Sequence, residues 1–179
     1  LGGDLALFRQ HIERQDRQAL LRYAKACVEG QHAMLTGFGR DITTISLVQG
    51  DALGGGFECA LAADVVIAER GTHLGFPEIL FNLFPGMGAY SILARKVGDA
   101  LTQKLISGGR LYPAEELYDM GIIDVLAPDG EGRAAVVNYM HRHTAIAPGL
   151  HGFQAAVDRV MPLSYDELND IVEHLVDTA

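Results

Sequence analysis

The chain has few of the residues that mark several large classes of protein. It contains two cysteines, Cys27 and Cys59, with no C-x-x-C pair and no Cys/His ligand spacing, which argues against a disulfide framework and against a zinc site. Its 14 basic residues against 23 acidic ones give a formal net charge of −9, and no basic run is present. We therefore expect no binding to nucleic acid.

Three further absences narrow the function. No apolar run is long enough to cross a bilayer, so no membrane partner is expected, and the two isolated cysteines indicate a cytoplasmic protein. The start, Leu-Gly-Gly-Asp, has no basic or apolar leader and is typical of the middle of a longer sequence. No G-x-S-x-G motif occurs, so covalent serine hydrolysis is disfavoured and any hydrolysis must use water. The seven histidines are scattered, which favours surface or core roles over metal binding. No metal and no cofactor are expected.

The apolar fraction of 49% in 179 residues is enough for one buried core. Three- and four-residue apolar spacing predicts helix over 4–38, and β-branched density predicts strands at 42–49 and 65–68. The glycine-rich stretch 51–56 is interpreted as a turn that leads into a short buried helix at 57–63.

The second half of the sequence has mainly helical patterns. Beyond a proline-rich loop at 76–88 we expect helices with one interruption, a strand at 122–127. The last predicted helices lie at 132–145, 150–160 and 165–178. The pattern is typical of an α/β core over 1–128 followed by a helical region over 129–179.

Two glutamates follow backbone features that suit the chemistry of a carbonyl group. Glu58 comes two residues after three consecutive glycines, 54–56, which can leave helix N-terminal N–H groups free for a negatively charged oxygen. Glu78 follows Pro77 in an apolar loop, where a solvated acid would be out of place. Taken singly, the glycines indicate a tight turn and each glutamate a favourable charge at a helix start. Together they favour a site that moves protons beside a carbonyl.

A second backbone donor is suggested near the start of the chain. Gly2-Gly3-Asp4 precedes the first predicted helix, and glycine leaves its N–H open to a ligand. Two such donors on one thioester oxygen would form an oxyanion hole. From this segment alone, a helix cap formed by Asp4 explains the pattern equally well.

The combined motifs resemble the crotonase superfamily of enoyl-CoA hydratases and isomerases. The similar segments are GGGFE at 54–58, ALAAD at 60–64, GFPE at 75–78 and PGMG at 85–88, with GGD at 2–4 in support. Within the superfamily, LVQGDALGGGFE at 47–58 and PEILFNLFPGMGAYS at 77–91 resemble the synthases of bacterial diffusible signal factors. This likeness implies a ββα-spiral core with C-terminal helices that assemble trimers, and an N-terminal part of the spiral that is missing here.

The resemblance also assigns roles to residues. Glu58 and Glu78 would act as the acid/base pair, Gly3 and Gly55 would supply the oxyanion-hole N–H groups, and Leu53 and Met87 would line the acyl pocket. The substrate would be a 3-hydroxyacyl thioester of acyl carrier protein or coenzyme A, dehydrated to a 2-unsaturated product.

The signal-synthase likeness further implies cleavage of the thioester to release a fatty-acid quorum-sensing signal. It implies a homotrimer or a dimer of trimers, with a sensor kinase as a further partner. Two alternatives stay open at this point. One is an ordinary enoyl-CoA hydratase of fatty-acid β-oxidation, and the other is a non-catalytic acyl-binding or regulatory protein on the same scaffold.

Overall fold

A computed structural model describes residues 4–179 as two three-stranded sheets with nine α-helices and three short 3₁₀ helices around them. The strands are β1 (Ile45–Val48), β2 (Ala52–Leu53), β3 (Val65–Glu69), β4 (His73–Gly75), β5 (Leu111–Pro113) and β6 (Val125–Ala127). The α-helices are α1 (Leu5–Glu13), α2 (Arg17–Leu35), α3 (Gly55–Leu61), α4 (Ala89–Val97), α5 (Asp99–Ser107), α6 (Ala114–Asp119), α7 (Gly132–His143), α8 (Ala147–Val160) and α9 (Tyr165–Thr178). The 3₁₀ helices are Gly37–Gly39, Pro77–Phe81 and Thr144–Ile146.

The first sheet has the order β1-β3-β6, and all three strands are parallel. All five residues of β3 are buried, as expected for the central strand of a parallel sheet covered on both faces. Ile45 pairs with Val65, and the same offset of 20 residues places Thr44 beside Asp64 and Gln49 beside Glu69. The predicted strand at 65–68 is confirmed, and the strand predicted at 42–49 is confirmed over its centre.

The second sheet has the order β2-β4-β5, with β2 parallel and β5 antiparallel to β4. It corrects two predictions. The stretch 51–56 is not only a turn, because Ala52–Leu53 pairs with β4, and β5 interrupts a region predicted as helical. Strands of two and three residues carry too little alternation to be recognised, and their partner β4 is distant in sequence from β5.

The predicted helix over 4–38 is two helices with a sharp break. Gln15 adopts a left-handed conformation with φ 51°, and Asp16 then caps α2 through a hydrogen bond from the Ala19 N–H. The predicted cap at Asp4 is confirmed, since its Oδ1 accepts a hydrogen bond of 3.0 Å from the Leu7 N–H.

The C-terminal helices pack differently from one another. Helix α9 lies against α2, where Leu168 and Val172 join Leu20, Ala24 and Val28 in a buried cluster. Helix α7 covers the first sheet, while α8 has no buried residue. The predicted helices in this region are confirmed, and the predicted strand at 122–127 is shorter because Ile122 and Ile123 are buried in a turn.

The division into 1–128 and 129–179 stays a prediction. Within residues 4–179, no helix is both long enough and apolar enough to cross a membrane.

Candidate active site

The two glutamates come together because the strands before them are parallel neighbours. Helix α3 follows β2, and the 3₁₀ helix Pro77–Phe81 follows β4, so both elements leave the second sheet at the same edge. The Gly54 N–H donates to the Gly75 carbonyl at 2.9 Å and holds the two exits side by side. The structure therefore places Glu58 and Glu78 at one site.

Glu58 is one of the most deeply buried side chains that the structure describes, with 1% of its surface exposed. Its Oε1 accepts hydrogen bonds from the Met87 N–H at 2.8 Å and the Ala89 N–H at 3.1 Å. Burial raises the pKa of Glu58 to about 8, because desolvation outweighs these two bonds and the nearby charge of Glu78 adds to it. At neutral pH this carboxyl group is therefore mainly protonated.

Glu78 lies partly exposed in the 3₁₀ helix, yet its Oε2 is buried without a hydrogen-bond partner in the part of the chain that is described. Burial raises the pKa of this carboxyl group as well. A buried carboxylate oxygen without a donor is costly to a folded protein, and such groups concentrate at functional sites.

Gly54, the first of the three consecutive glycines, has a clear steric role. Its φ of 54° favours glycine, and a Cβ at this position would collide with the Glu78 carboxylate. Gly55 is the first residue of α3, so its N–H has no acceptor within its own helix. The predicted donor, the Gly55 N–H, therefore lies at the start of α3, and Gly55 lines the same cavity as both carboxylates.

Both glutamates and Gly55 line one cavity of about 110 Å³. Its other walls come from α1, α2, the loop after Glu78 and α9: Asp4, Leu5, Phe8, Tyr23, Ala24, Leu83, Phe84, Pro85, Gly86, Met87 and Leu175. The lining is mainly apolar, with the carboxylates and a tyrosine as its polar groups. Such a cavity suits the reacting end of an acyl group.

The three remaining predicted site residues have different positions. Met87 lines the cavity and also supplies an N–H to Glu58, whereas Leu53 is 38% exposed and is not part of the lining. Gly3 lies outside the described residues, although the adjoining Asp4 is at the cavity wall. These roles, like the catalytic roles of Glu58 and Glu78, stay predictions.

Tyr23 and Leu175 are among the cavity residues that sequence reasoning missed. Tyr23 belongs to a helix whose apolar spacing indicated only packing, and Leu175 comes from α9, 97 residues after Glu78. Leu175 lies so close to Gly86 that a Cβ there would approach it to 2.6 Å, which explains the first glycine of PGMG. A tyrosine within the apolar face of a predicted helix was a weak signal for a site residue. No sequence signal pointed to Leu175.

No group of three or more histidine, cysteine or acidic side chains within residues 4–179 could hold a metal ion. The site as described consists of two carboxyl groups with raised pKa values, a helix N-terminal N–H and an apolar cavity.

The fold is that of a crotonase-like protein. The chain superimposes on an enoyl-CoA hydratase from Geobacillus kaustophilus HTA426 with a TM-score of 0.71 and 18% identity, covering 89% of this chain and 60% of that one. The model of the enoyl-CoA hydratase/isomerase family matches residues 9–161. This match takes in well over half of the sequence, and the chain belongs to that family.

Curated relatives match over shorter stretches. The 2,3-dehydroadipyl-CoA hydratase of Escherichia coli (strain K12) is 34% identical over 106 residues, which cover 58% of this chain and 42% of that protein. The mevalonyl-coenzyme A hydratase SIDH of Beauveria bassiana (strain ARSEF 2860) is 37% identical over 86 residues, covering 48% and 31%. The chain thus spans less than half the length of these relatives.

Proposed function

We propose that this protein is a hydro-lyase that interconverts 3-hydroxyacyl and 2-unsaturated acyl thioesters. The observation that carries the proposal is the pairing of Glu58, buried and mainly protonated, with Glu78, whose Oε2 has no partner among residues 4–179, at one apolar cavity. Both relatives described above are named as hydratases of coenzyme A thioesters, which supports the same reaction class.

The difference between the two carboxyl groups supports a separate role for each. Glu78, as the carboxylate, takes the proton from the carbon next to the thioester carbonyl, and the resulting enolate oxygen is held by the N–H groups of Gly55 and Gly3. Glu58, with its pKa raised to about 8, gives its proton to the departing hydroxyl, which leaves as water. The carbon–oxygen bond breaks as the double bond forms, and hydration is the same path in reverse.

A more specific proposal is that the substrate is carried on acyl carrier protein and that the thioester is then cleaved. The likeness of segments 47–58 and 77–91 to signal synthases supports this step. Water would attack the thioester carbonyl with a glutamate as base, releasing a free 2-unsaturated acid and the carrier thiol. The ordinary coenzyme A hydratase is the second candidate, and the names of the relatives favour it.

The proposed assembly is a homotrimer or a dimer of trimers in the cytoplasm, with a sensor kinase as a partner of the signal synthase. Large apolar side chains on α7, α8 and the turn between them support self-association, since they are at least half exposed: Val137, Met140, Ile146, Phe153 and Val160. The kinase partner and the cytoplasmic location rest on the sequence alone.

Product analysis by mass spectrometry tests these proposals. The full-length protein is given one 3-hydroxyacyl group either on acyl carrier protein or on coenzyme A. Release of a free 2-unsaturated acid from the carrier protein supports the signal synthase, and an intact enoyl-CoA supports the ordinary hydratase. Binding of either substrate without any product would contradict both and leave the non-catalytic acyl-binding protein.

A further inference from the structure

Tyr23 is the one polar side chain from α2 in the lining of the glutamate cavity. Its hydroxyl oxygen accepts a hydrogen bond of 2.7 Å from the backbone N–H of Asp4, 19 residues earlier. Asp4 is the N-cap of α1, and its own side chain is occupied by the Leu7 N–H. The start of α1 is therefore tied to α2 by a bond that no other described residue duplicates.

The residue that this bond holds, Asp4, directly follows Gly3, the predicted second oxyanion donor, in the sequence. The Asp4 N–H belongs to the peptide unit that joins Asp4 to Gly3, so fixing this N–H restricts the backbone on which the Gly3 donor depends. Oxyanion-hole donors act by being held in place before the reaction, and a misplacement of about 1 Å can cost on the order of 100-fold in rate. A tether one residue away is thus in a position to affect the rate.

We propose that Tyr23 is a positioning residue for the oxyanion hole, holding the backbone next to Gly3 through the Asp4 N–H. The inference rests on the proposed function and adds a residue to it. Tyr23 does not exchange protons with the substrate in this proposal. It determines how well the thioester oxygen is polarised once the acyl group is bound.

The test is Tyr23→Phe in the full-length protein, which removes the hydroxyl and keeps the ring. We expect kcat to fall about tenfold while KM changes less than twofold, because substrate binding is retained and transition-state stabilisation is weakened. The matched control is Tyr118→Phe, which removes the hydroxyl of a 45% exposed tyrosine on α6 and should leave both constants unchanged.

A spectroscopic measurement separates positioning from general packing. A cinnamoyl thioester, on coenzyme A and on acyl carrier protein, absorbs at longer wavelength when its carbonyl oxygen accepts hydrogen bonds. The wild-type protein and Tyr118→Phe should show this red shift, and Tyr23→Phe should show less than half of it. A full red shift in Tyr23→Phe, or a raised KM with unchanged kcat, would overturn the inference and leave the proposed function intact.

Two further results are decisive. If the wild-type protein shows neither red shift nor turnover with either carrier, both the proposed function and this inference are wrong. If Tyr23→Phe does not fold, 3-fluorotyrosine at position 23 replaces it, because fluorine weakens the oxygen as an acceptor and keeps the ring in place. A partial loss of the red shift then supports the role of Tyr23, and an unchanged red shift overturns it.

Discussion

Two buried glutamates, Glu58 and Glu69, show how the same residue can serve the site or the scaffold. Glu69 ends β3, and its Oε1 accepts hydrogen bonds of 3.0 Å from both the Gln49 side chain and the Gly132 N–H. The hydrogen bond from Gln49 and those from the backbone at Gly130 and Gly132 hold the pKa of Glu69 below its usual range. Burial instead raises the pKa of Glu58 to about 8.

The difference lies first in desolvation, which is the largest influence on the pKa of Glu58 and the smallest on that of Glu69, and then in the donors that reach each carboxylate. Glu69 lies at the N-terminus of α7, where the helix dipole favours a negative charge, and it has a side-chain amide as a further donor. Glu58 has two backbone donors on one oxygen and another carboxylate nearby. The scaffold carboxylate is therefore stable as an anion, and the candidate catalytic carboxyl group keeps a proton that it can transfer.

The largest expected effect is on turnover. Glu58→Gln removes the exchangeable proton, and we expect kcat to fall about 10²- to 10⁴-fold, the usual contribution of a general acid or base. Glu69→Gln should change kcat less than threefold, because Glu69 is not part of the cavity lining. Steady-state kinetics on the 3-hydroxyacyl thioester measures both. Equal losses of kcat in the two variants would contradict the distinction between a catalytic Glu58 and a structural Glu69.

The next effect is on stability and depends on pH. The folded-state pKa of Glu58 is raised from 4.5 to about 8, so the folded protein binds more protons than the unfolded chain between these values, and stability falls as pH rises through this window. Glu58→Gln should remove that loss and raise the free energy of unfolding at pH 7 by about 3 kcal/mol.

Urea unfolding of the full-length protein at pH 5 and at pH 7 measures this difference. The increase in the free energy of unfolding caused by Glu58→Gln should be much smaller at pH 5 than at pH 7. A variant that is less stable than the wild type at both values would show that the Glu58 carboxylate is stabilised by its surroundings, as that of Glu69 is.

The sequence predicted the parts of the site that depend on short segments. Gly54, Glu58 and Glu78 are found in motifs of five residues or fewer, and the structure brings them together as neighbours. The partners of Glu69 could not be predicted, because Gly132 is 63 residues away and Gln49 is aligned only by the parallel register of β1 and β3. Local pattern shows which residues have unusual surroundings, whereas the register of the fold decides which donors reach them.

Two glycines extend the comparison, because Gly54 lies against Glu78, the second carboxylate of the candidate site, and Gly132 lies against the scaffold carboxylate Glu69. A Cβ at Gly54 would collide with the Glu78 carboxylate, and a Cβ at Gly132 would lie 2.7 Å from the Glu69 Oε1. Gly54→Ala should displace Glu78 and lower kcat about 10- to 100-fold. Gly132→Ala should lower the melting temperature with little change in kcat. Unchanged kinetics in Gly54→Ala would show that the position of Glu78 is not critical.

The smallest effect should come from making Glu69 resemble Glu58. Gln49→Met removes the side-chain donor and keeps a similar volume, so the pKa of Glu69 should rise towards its ordinary value. A depressed carboxylate pKa contributes stability that is present above the unfolded-state pKa and lost as pH falls through the folded-state pKa. The variant should therefore melt a few degrees lower than the wild type at pH 7, with the difference vanishing in acid. An equal difference at pH 7 and in acid would show that Gln49 acts by packing and not through the charge of Glu69.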